Sequence, residues 1–469
     1  MKIKLGLGGA SMNDVALYCG GALSGDGQRE FEYVCTDSRE ADGKTLFVAT
    51  RGERVDGHNY IASAQKLGAT CFLCEKIPEG AEGNSTFCVV ENSIDAFATL
   101  AHGYRKNTPI DTVAITGSVG KTTTKEMTSR VLNQGYNLYS TEGNFNSVIG
   151  MPMSMLEVEE ECNAAVFEMG MSGFGEIHNM SVAASPRIAV ITNIGSSHLE
   201  YLGTRENIAK AKYEIADGLR KGGILLLNGD EPLLRDLAER SDGEHRILFA
   251  SVCGNGDFSA ENIRFTSDGS IFDLRYDGGS IADVTVPAVG LHIVYDALFA
   301  ASVGVLMNIS DEGIKAGLSR YVPGAYRQKM YDCRGMKFIA DCYNASPESV
   351  RGALDVLSRV ECKRRIAVLG DMKELGESSP SLHRAVGEFV AEKGIDILLT
   401  VGELGAFIAE GARLGGMSRD AVYSETDCGA KNTIAKLKEI LAEGDAVLFK
   451  ASRSMKFENI IEKIEKTEQ

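Results

Sequence analysis

Short apolar runs, each closed by a turn and followed by an amphipathic stretch of helical length, recur along most of this chain. That rhythm predicts strands buried on both faces of parallel sheets, with helices as crossovers. In the first block TLFVAT, TCFLCE and TFCVVE read as strands, and SIDAFATLAHGYRK reads as a helix closing at Asn107-Thr108-Pro109. Proline disfavours helix in the residue before it, so Pro109 marks a linker. DTVAIT, AAVFEM and RIAVITNI then run into polar or glycine-containing turns with helical patterns between them, as in a doubly wound parallel sheet. NIRFT, SIFDLRY and SIADVTVP, separated by SDG and DGG, predict antiparallel hairpins added to it. After about Gly324 the rhythm restarts with KFIADCYN, RRIAVLGD, DILLTVG, DAVYSE and DAVLFKAS, and with helices at SPESVRGALDVLSRV and GAKNTIAKLKEILAEG. This third unit is Rossmann-like but has no GxGxxG, so it is not read as a dinucleotide site. The expected fold is α/β in three domains: 1–107, small; 108–320, a doubly wound, mostly parallel sheet with antiparallel strands added; and 321–469, Rossmann-like.

A length of 469 residues agrees with several domains, since single cores stop growing well below it. The composition, 44% hydrophobic and 24% charged, is that of a soluble globular protein. A formal charge of −16 argues against nucleic-acid partners, which need a basic surface. The N-terminus reaches Asn13 and Asp14 before an apolar segment develops, and no run approaches membrane-spanning length, so a cytoplasmic monomer is expected. Eleven scattered cysteines include one C-x-x-C, Cys71 and Cys74, inside an apolar run. Without a second ligand pair they read as buried thiols rather than a zinc or redox site.

Candidate chemistry starts where DTVAIT enters TGSVGKTTTKEMTSRVL. A glycine turn opening a helix presents backbone amides to phosphates, a lysine there reaches the terminal phosphates, and a following hydroxyl suits Mg²⁺. These roles fall to Gly117, Ser118, Val119, Gly120, Lys121, Thr122 and Thr123, although Ile115 stands where the full P-loop pattern has glycine. The next two strands end at Glu168 and near His198, and ligands bind outside the carboxyl ends of such strands. Either residue alone has a bland reading, as a solvated carboxylate or a packed imidazole. Together beside a phosphate loop they point to metal binding. In TRENIAKAKYEIADGL, Lys210 and Lys212 could equally be two solvated helix lysines.

TGSVGKTTTKEM, GNFNSVIGMP, FEMGMSGFGEI, ITNIGSSHLEYLGTRENIAKAKYEI and NGDEP resemble the central ATPase domain of the Mur ligase family. DCYNASPESVRGAL, VLGDMKELGESSPSLHRAVGE and KASRSMKFE resemble the C-terminal domain of the member that adds D-alanyl-D-alanine, and TDSREADGKTLFVATRGERVDGHNYIASAQKLGA its UDP-substrate domain. The resemblance implies an ATP-dependent ligase forming UDP-MurNAc-pentapeptide from UDP-MurNAc-tripeptide and D-alanyl-D-alanine. It implies Lys121 and Thr122 on the ATP phosphates and Mg²⁺, a metal set of Thr122, Glu168, His198 and Lys212, and carbamylation of Lys212. It further implies Asn144, Asn146, Arg327, Asp341, Tyr343 and Asn344 around the nucleotide. Substrate contacts would come from Asp37, Ser38, Arg39, Asp56, Gly57 and His58, with Lys450, Ser452 and Arg453 at the C-terminal side. Ser147, Asp296 and Ala451 depart from the residues usual at their places, so the adenine contacts of His292 and Asp296 stay open. Rivals are another ligase of the superfamily, acting on the third precursor residue or on folate, and a P-loop switch protein. The second would not need Glu168, His198 and Lys212 together.

Overall fold

The computed structural model describes residues 1–52, 55–81, 83–106, 108, 110–141, 143, 145–241, 243–426 and 431–466. Three large sheets, of six, nine and six strands, follow one another along the chain with helices on their faces. The first runs Lys2–Lys4, Tyr33–Cys35, Thr45–Val48, Cys71–Cys74, Thr86–Val89, Ala22–Ser24. Its four inner strands are parallel and its edges antiparallel, so the three apolar runs of the first block are inner strands. Cys71 and Cys74 are buried in one of them, and burial pushes their thiols up to about 11 and about 12. All ten described cysteines are free, in line with the structural reading; Cys428 lies outside the described residues. The helix expected before the linker is Ser93–Arg105, started by Asn92, whose side chain accepts from the Ile94 and Asp95 amides. Asn107 and Pro109 lie outside the described residues.

In the nine-stranded sheet Asp111–Thr116 lies between Ala164–Glu168 and Ile188–Ile191, all parallel. Side chains of a strand alternate between faces. Val113 and Ile115 share a core with Met127 and Val131 of helix Lys121–Leu132, while Ala114 shares the opposite core with Ile177 and Met180 of helix Glu176–Ala184. The helices that follow these two neighbouring strands therefore leave on opposite faces. Between them the carboxyl edge is a topological switch point, the usual ligand position in such sheets. Beyond Ile224–Asn228 and Arg246–Ser251, strand Phe258–Phe265 joins in parallel and then pairs antiparallel with Ser270–Tyr276, which pairs with Gly279–Val286. The SDG and DGG turns foretell those hairpins.

The third sheet runs Lys329–Cys333, Met336–Ala340, Asp445–Lys450, Arg364–Gly370, Ile397–Val401, Val422–Glu425, parallel except for the first hairpin. Lys329–Cys333 escapes the sequence pattern because KMYDC is a partly exposed edge strand with no apolar run. Helix Pro347–Arg359 begins at a capping box in which Ser346 and Ser349 answer each other's amides. Of the helix expected over 429–444, the described part is Lys431–Ile440. Among the described residues no helix is long and apolar enough to cross a membrane.

Candidate active site

The strand ending at Thr116 turns through Gly117–Gly120 and enters a helix at Lys121. Both glycines are required by what lies against them. A Cβ at Gly117 would stand 1.9 Å from the Thr192 hydroxyl, and one at Gly120 would stand 2.3 Å from Asp296 Oδ1, with φ of +86° besides. The turn is held from the neighbouring strand end. Asn193 Oδ1 accepts from the amides of Ser118 (3.1 Å) and Val119 (2.9 Å), and the Thr192 hydroxyl donates to the Val119 carbonyl (2.6 Å). Lys121 folds back so that Nζ donates to the Gly117 carbonyl (2.9 Å). Burial pushes its ammonium down, and the negative charge of Glu168 opposes that. Thr123 stands half-buried beside Tyr321.

Glu168, 2% exposed, ends the adjacent strand. One of its oxygens accepts from Thr122 Oγ1 (2.8 Å) and the other from Asn146 Nδ2 (2.7 Å), yet no cation pairs with it among the described residues. Lys121, Thr122, Asn146 and Glu168 thus form one cluster at that carboxyl edge. Asn144 lies outside the described residues. Lys212 sits in the last turn of helix Arg205–Tyr213 and is 1% exposed, whereas Lys210 is exposed. The solvated-lysine reading therefore holds for Lys210 and fails for Lys212. Burial first, and then the charge of Lys121, hold the Lys212 amine far below the usual lysine range, and it has no hydrogen-bond partner among the described residues. His198 adopts a left-handed backbone (φ +65°) and places Nδ1 2.8 Å from Glu374 Oε2, an ion-pair distance without hydrogen-bond alignment. Among the described residues no three His, Cys, Asp or Glu side chains cluster at metal-binding spacing.

On the C-terminal side Lys450, buried, donates to Asp341 Oδ2 (2.6 Å) and to the Asn344 carbonyl (3.2 Å). Arg327 stacks on the Tyr343 ring at 3.7 Å, and Arg453 approaches the same ring at 5.7 Å. Ser452 Oγ accepts from the Lys373 amide. The N-terminal set stands as a separate group whose members pair among themselves. Asp37 accepts from the Arg39 side chain (2.9 Å), which holds its carboxyl below the usual range, and Ser38 is buried between them. Past Gly57, Asp56 pairs with His58 Nδ1 (2.6 Å), while His58 Nε2 accepts from the Glu75 amide (2.8 Å). That second bond fixes the ring as a donor toward Asp56.

Sequence patterns pass over Asn193, Glu374 and Glu348. Asn193 was within reach, since it follows a strand next to the phosphate-loop strand. The other two act across the chain and carry no local signal.

Residues 30–105 match the Mur ligase family catalytic domain, 115–304 the Mur ligase middle domain, and 327–453 the Mur ligase glutamate ligase domain. A UDP-N-acetylmuramoyl-tripeptide--D-alanyl-D-alanine ligase of Bacillus subtilis is 36% identical over 430 residues, covering 91% of this chain and 92% of the relative. The chain belongs to the Mur ligase family. MurF from Acinetobacter baumannii superposes with a TM-score of 0.90 at 28% identity, covering 99% of this chain and 100% of that one. MurF ligase from Thermotoga maritima, solved in complex with ADP, gives 0.81 at 28% identity, covering 92% and 97%.

Against this Mur ligase background the three departures have local reasons. Ser147 Oγ accepts from the Gly150 amide at the start of helix Gly150–Glu157. The Ala451 methyl is buried where a Cβ at residue 370 would come within 2.7 Å of it, and residue 370 is glycine. Asp296 is buried beneath the phosphate loop, accepts from Thr124 Oγ1 (2.9 Å), and is pushed up to about 8 by burial. His292 pairs with Gln328 (2.5 Å).

Proposed function

We propose that this chain is an ATP-dependent amide ligase that joins D-alanyl-D-alanine to UDP-N-acetylmuramoyl-tripeptide, releasing ADP and phosphate in peptidoglycan precursor synthesis. The observation that carries the reading is similarity to ligases of that name along nine-tenths of both chains. The intact cluster of Lys121, Thr122 and Glu168 gives it a chemical basis. We assign the UDP-substrate role to 1–107, the ATP-binding P-loop to 108–320 and both an ATP and a dipeptide side to 321–469, in a cytoplasmic monomer.

A carboxylate does not acylate amines unaided. In the proposed reaction the terminal carboxylate of the tripeptide attacks the γ-phosphate of ATP, the bond to ADP breaks, and an acyl phosphate results. The free amine of the dipeptide then adds to the acyl carbon, and phosphate leaves with the amine proton passed to solvent. Lys121, released from the Gly117 carbonyl, follows the charge that grows on the transferring phosphoryl group, and the amides at the start of helix Lys121–Leu132 lie along its path. Arg327 and Asn146 flank the phosphates, with Asn144, two residues before Asn146, serving the nucleotide as well, and Asp341, Tyr343 and Asn344 face the nucleoside. Asp37, Ser38, Arg39, Asp56, Gly57 and His58 hold the UDP-sugar, and Lys450, Ser452 and Arg453 serve the acceptor side.

The residues fit Mg²⁺: a buried carboxylate without a paired cation next to a threonine hydroxyl offers the hard oxygens that ion takes. Thr122, Glu168, His198 and Lys212 would hold it, and it would neutralise phosphate charge when bound. Lys212 fits carbamylation, because burial favours the neutral amine, the form that adds CO2, and the carbamate turns a repelled cation into an oxygen ligand.

The test is mass spectrometry of the product from ATP, UDP-MurNAc-tripeptide and D-alanyl-D-alanine, with heavy oxygen in the tripeptide carboxylate. The expected outcome is the pentapeptide, with label in the released phosphate. ATP hydrolysis indifferent to the amine would overturn the reading in favour of a switch protein.

A further inference from the structure

The loop over residues 192–198, TNIGSSH, lies between the phosphate loop and the C-terminal domain. Toward the phosphate loop, Asn193 holds the Ser118 and Val119 amides, and the Gly195 amide donates to Ser118 Oγ (2.8 Å). Toward the C-terminal domain, one oxygen of Glu348 accepts from both the amide (2.9 Å) and the hydroxyl (2.8 Å) of Ser196. Glu348 stands in the first turn of helix Pro347–Arg359, 152 residues further along the chain. Gly195 makes the approach possible, since a Cβ there would stand 2.9 Å from the Glu348 carboxyl carbon. Ser196 is 6% exposed, so without Glu348 its two donors are left unpaired at a largely water-free place.

We infer that Glu348 is a positioning residue: through Ser196 it fixes the 192–198 loop, and through Asn193 and Gly195 that loop fixes the phosphate loop when the C-terminal domain is docked. The consequence is that the shape of the phosphate loop itself, and not only the contacts to the nucleoside, depends on the C-terminal domain. This rests on the ligase reading above. Gly195 adjoins Ser196 directly, and only two residues separate Ser196 from Asn193, so a shift at Ser196 has little chain in which to dissipate. The loop has a second anchor, the Arg205 guanidinium on the Ile194 carbonyl (2.7 Å), so losing Glu348 loosens the loop without releasing it.

ADP affinity by calorimetry and ligation kinetics decide the matter for the wild type, Glu348→Ala, Glu348→Gln, Ser196→Ala and the Glu348→Ala/Ser196→Ala double variant. Glu348→Ala is expected to lower kcat roughly tenfold and weaken ADP several-fold, the scale of a lost charge-assisted hydrogen bond. KM for UDP-MurNAc-tripeptide, held by the other end of the molecule, should stay within about twofold, a split that general damage to the fold would not give. Glu348→Gln, whose single carbonyl oxygen can accept both bonds, should recover most of the loss. The double variant should be no worse than the weaker single one, because both changes cut the same link. Wild-type kcat and ADP affinity in Glu348→Ala, no recovery in Glu348→Gln, or multiplicative losses in the double variant would overturn the assignment. If the wild type itself forms no pentapeptide, the ligase reading fails, and the ADP arm still decides the role of Glu348.

Discussion

At the carboxyl edge of the central sheet Lys212 is buried and Lys121 nearly so, with no carboxylate in ion-pair contact with either among the described residues. In the N-terminal block the candidate residues are arranged the other way: Asp37 is met by Arg39 and Asp56 by His58, two residues along the chain in each case. Burying a charge without a partner costs free energy, so a fold keeps one where a ligand later supplies the compensation. Pairs formed within a turn compensate each other in place and hold the backbone in shape, even where, as at His58, one partner is buried. On the proposed reading the first region is completed by a bound anion and cation, whereas the second is preformed.

The hardest challenge to this contrast is Lys121→Ala. With the phosphoryl charge unanswered, kcat should fall by at least about a hundredfold, or roughly 3 kcal/mol, with circular dichroism unchanged. Near-normal phosphate release with both substrates would remove Lys121 from the chemistry. Lys212→Ala should be nearly inactive and regain activity with acetate, whose oxygen can enter the space left by the side chain. Full activity without acetate would refute the carbamate, since the loss of an oxygen ligand to the metal cannot leave turnover unchanged.

Asp296→Asn probes the same region through pH. The buried carboxyl holds its proton up to about 8 in the folded state but only to about 3.8 when unfolded. Between those values the folded chain binds the extra proton, so wild-type stability falls as pH rises through this window and levels off above it. The asparagine variant lacks that slope, and its advantage in melting temperature should widen from pH 4 to pH 8. A constant gap would show that Asp296 is ionised throughout. The smallest effect is expected in the preformed region: Asp56→Ala unpairs the His58 ring and amide, costing about 1 kcal/mol by denaturant titration, because water can enter at the partly exposed position of Asp56. A loss as large as that of a core truncation would mean that this block, too, stores uncompensated charge.

What was legible in the sequence follows the same division. Strands such as DTVAIT and RIAVITNI are buried on both faces and announce themselves as apolar runs, and the glycine turn before Lys121 is a local motif legible without the fold. Helical spacing sets Lys210 and Lys212 on opposite sides and puts Lys212 on the face of Ile208 and Ile215, so its burial was within reach of the pattern; a lysine's usual exposure argued the other way. Glu348 and Glu374 were invisible for a further reason: each earns its role by meeting a residue more than a hundred positions away, Ser196 and His198. Edge strand Lys329–Cys333 lacked the apolar run that burial would have required of it.

The hydrogen bond between Thr124 and Asp296 spans 172 residues of chain. Ribosomes add on the order of 5–20 residues per second, so roughly ten to thirty seconds separate the synthesis of the phosphate loop from that of the carboxyl group that seats beneath it. Throughout that interval the nascent chain carries the Gly117–Gly120 turn without its floor, and the central domain acquires its final shape only once the helix Leu291–Leu306 has emerged.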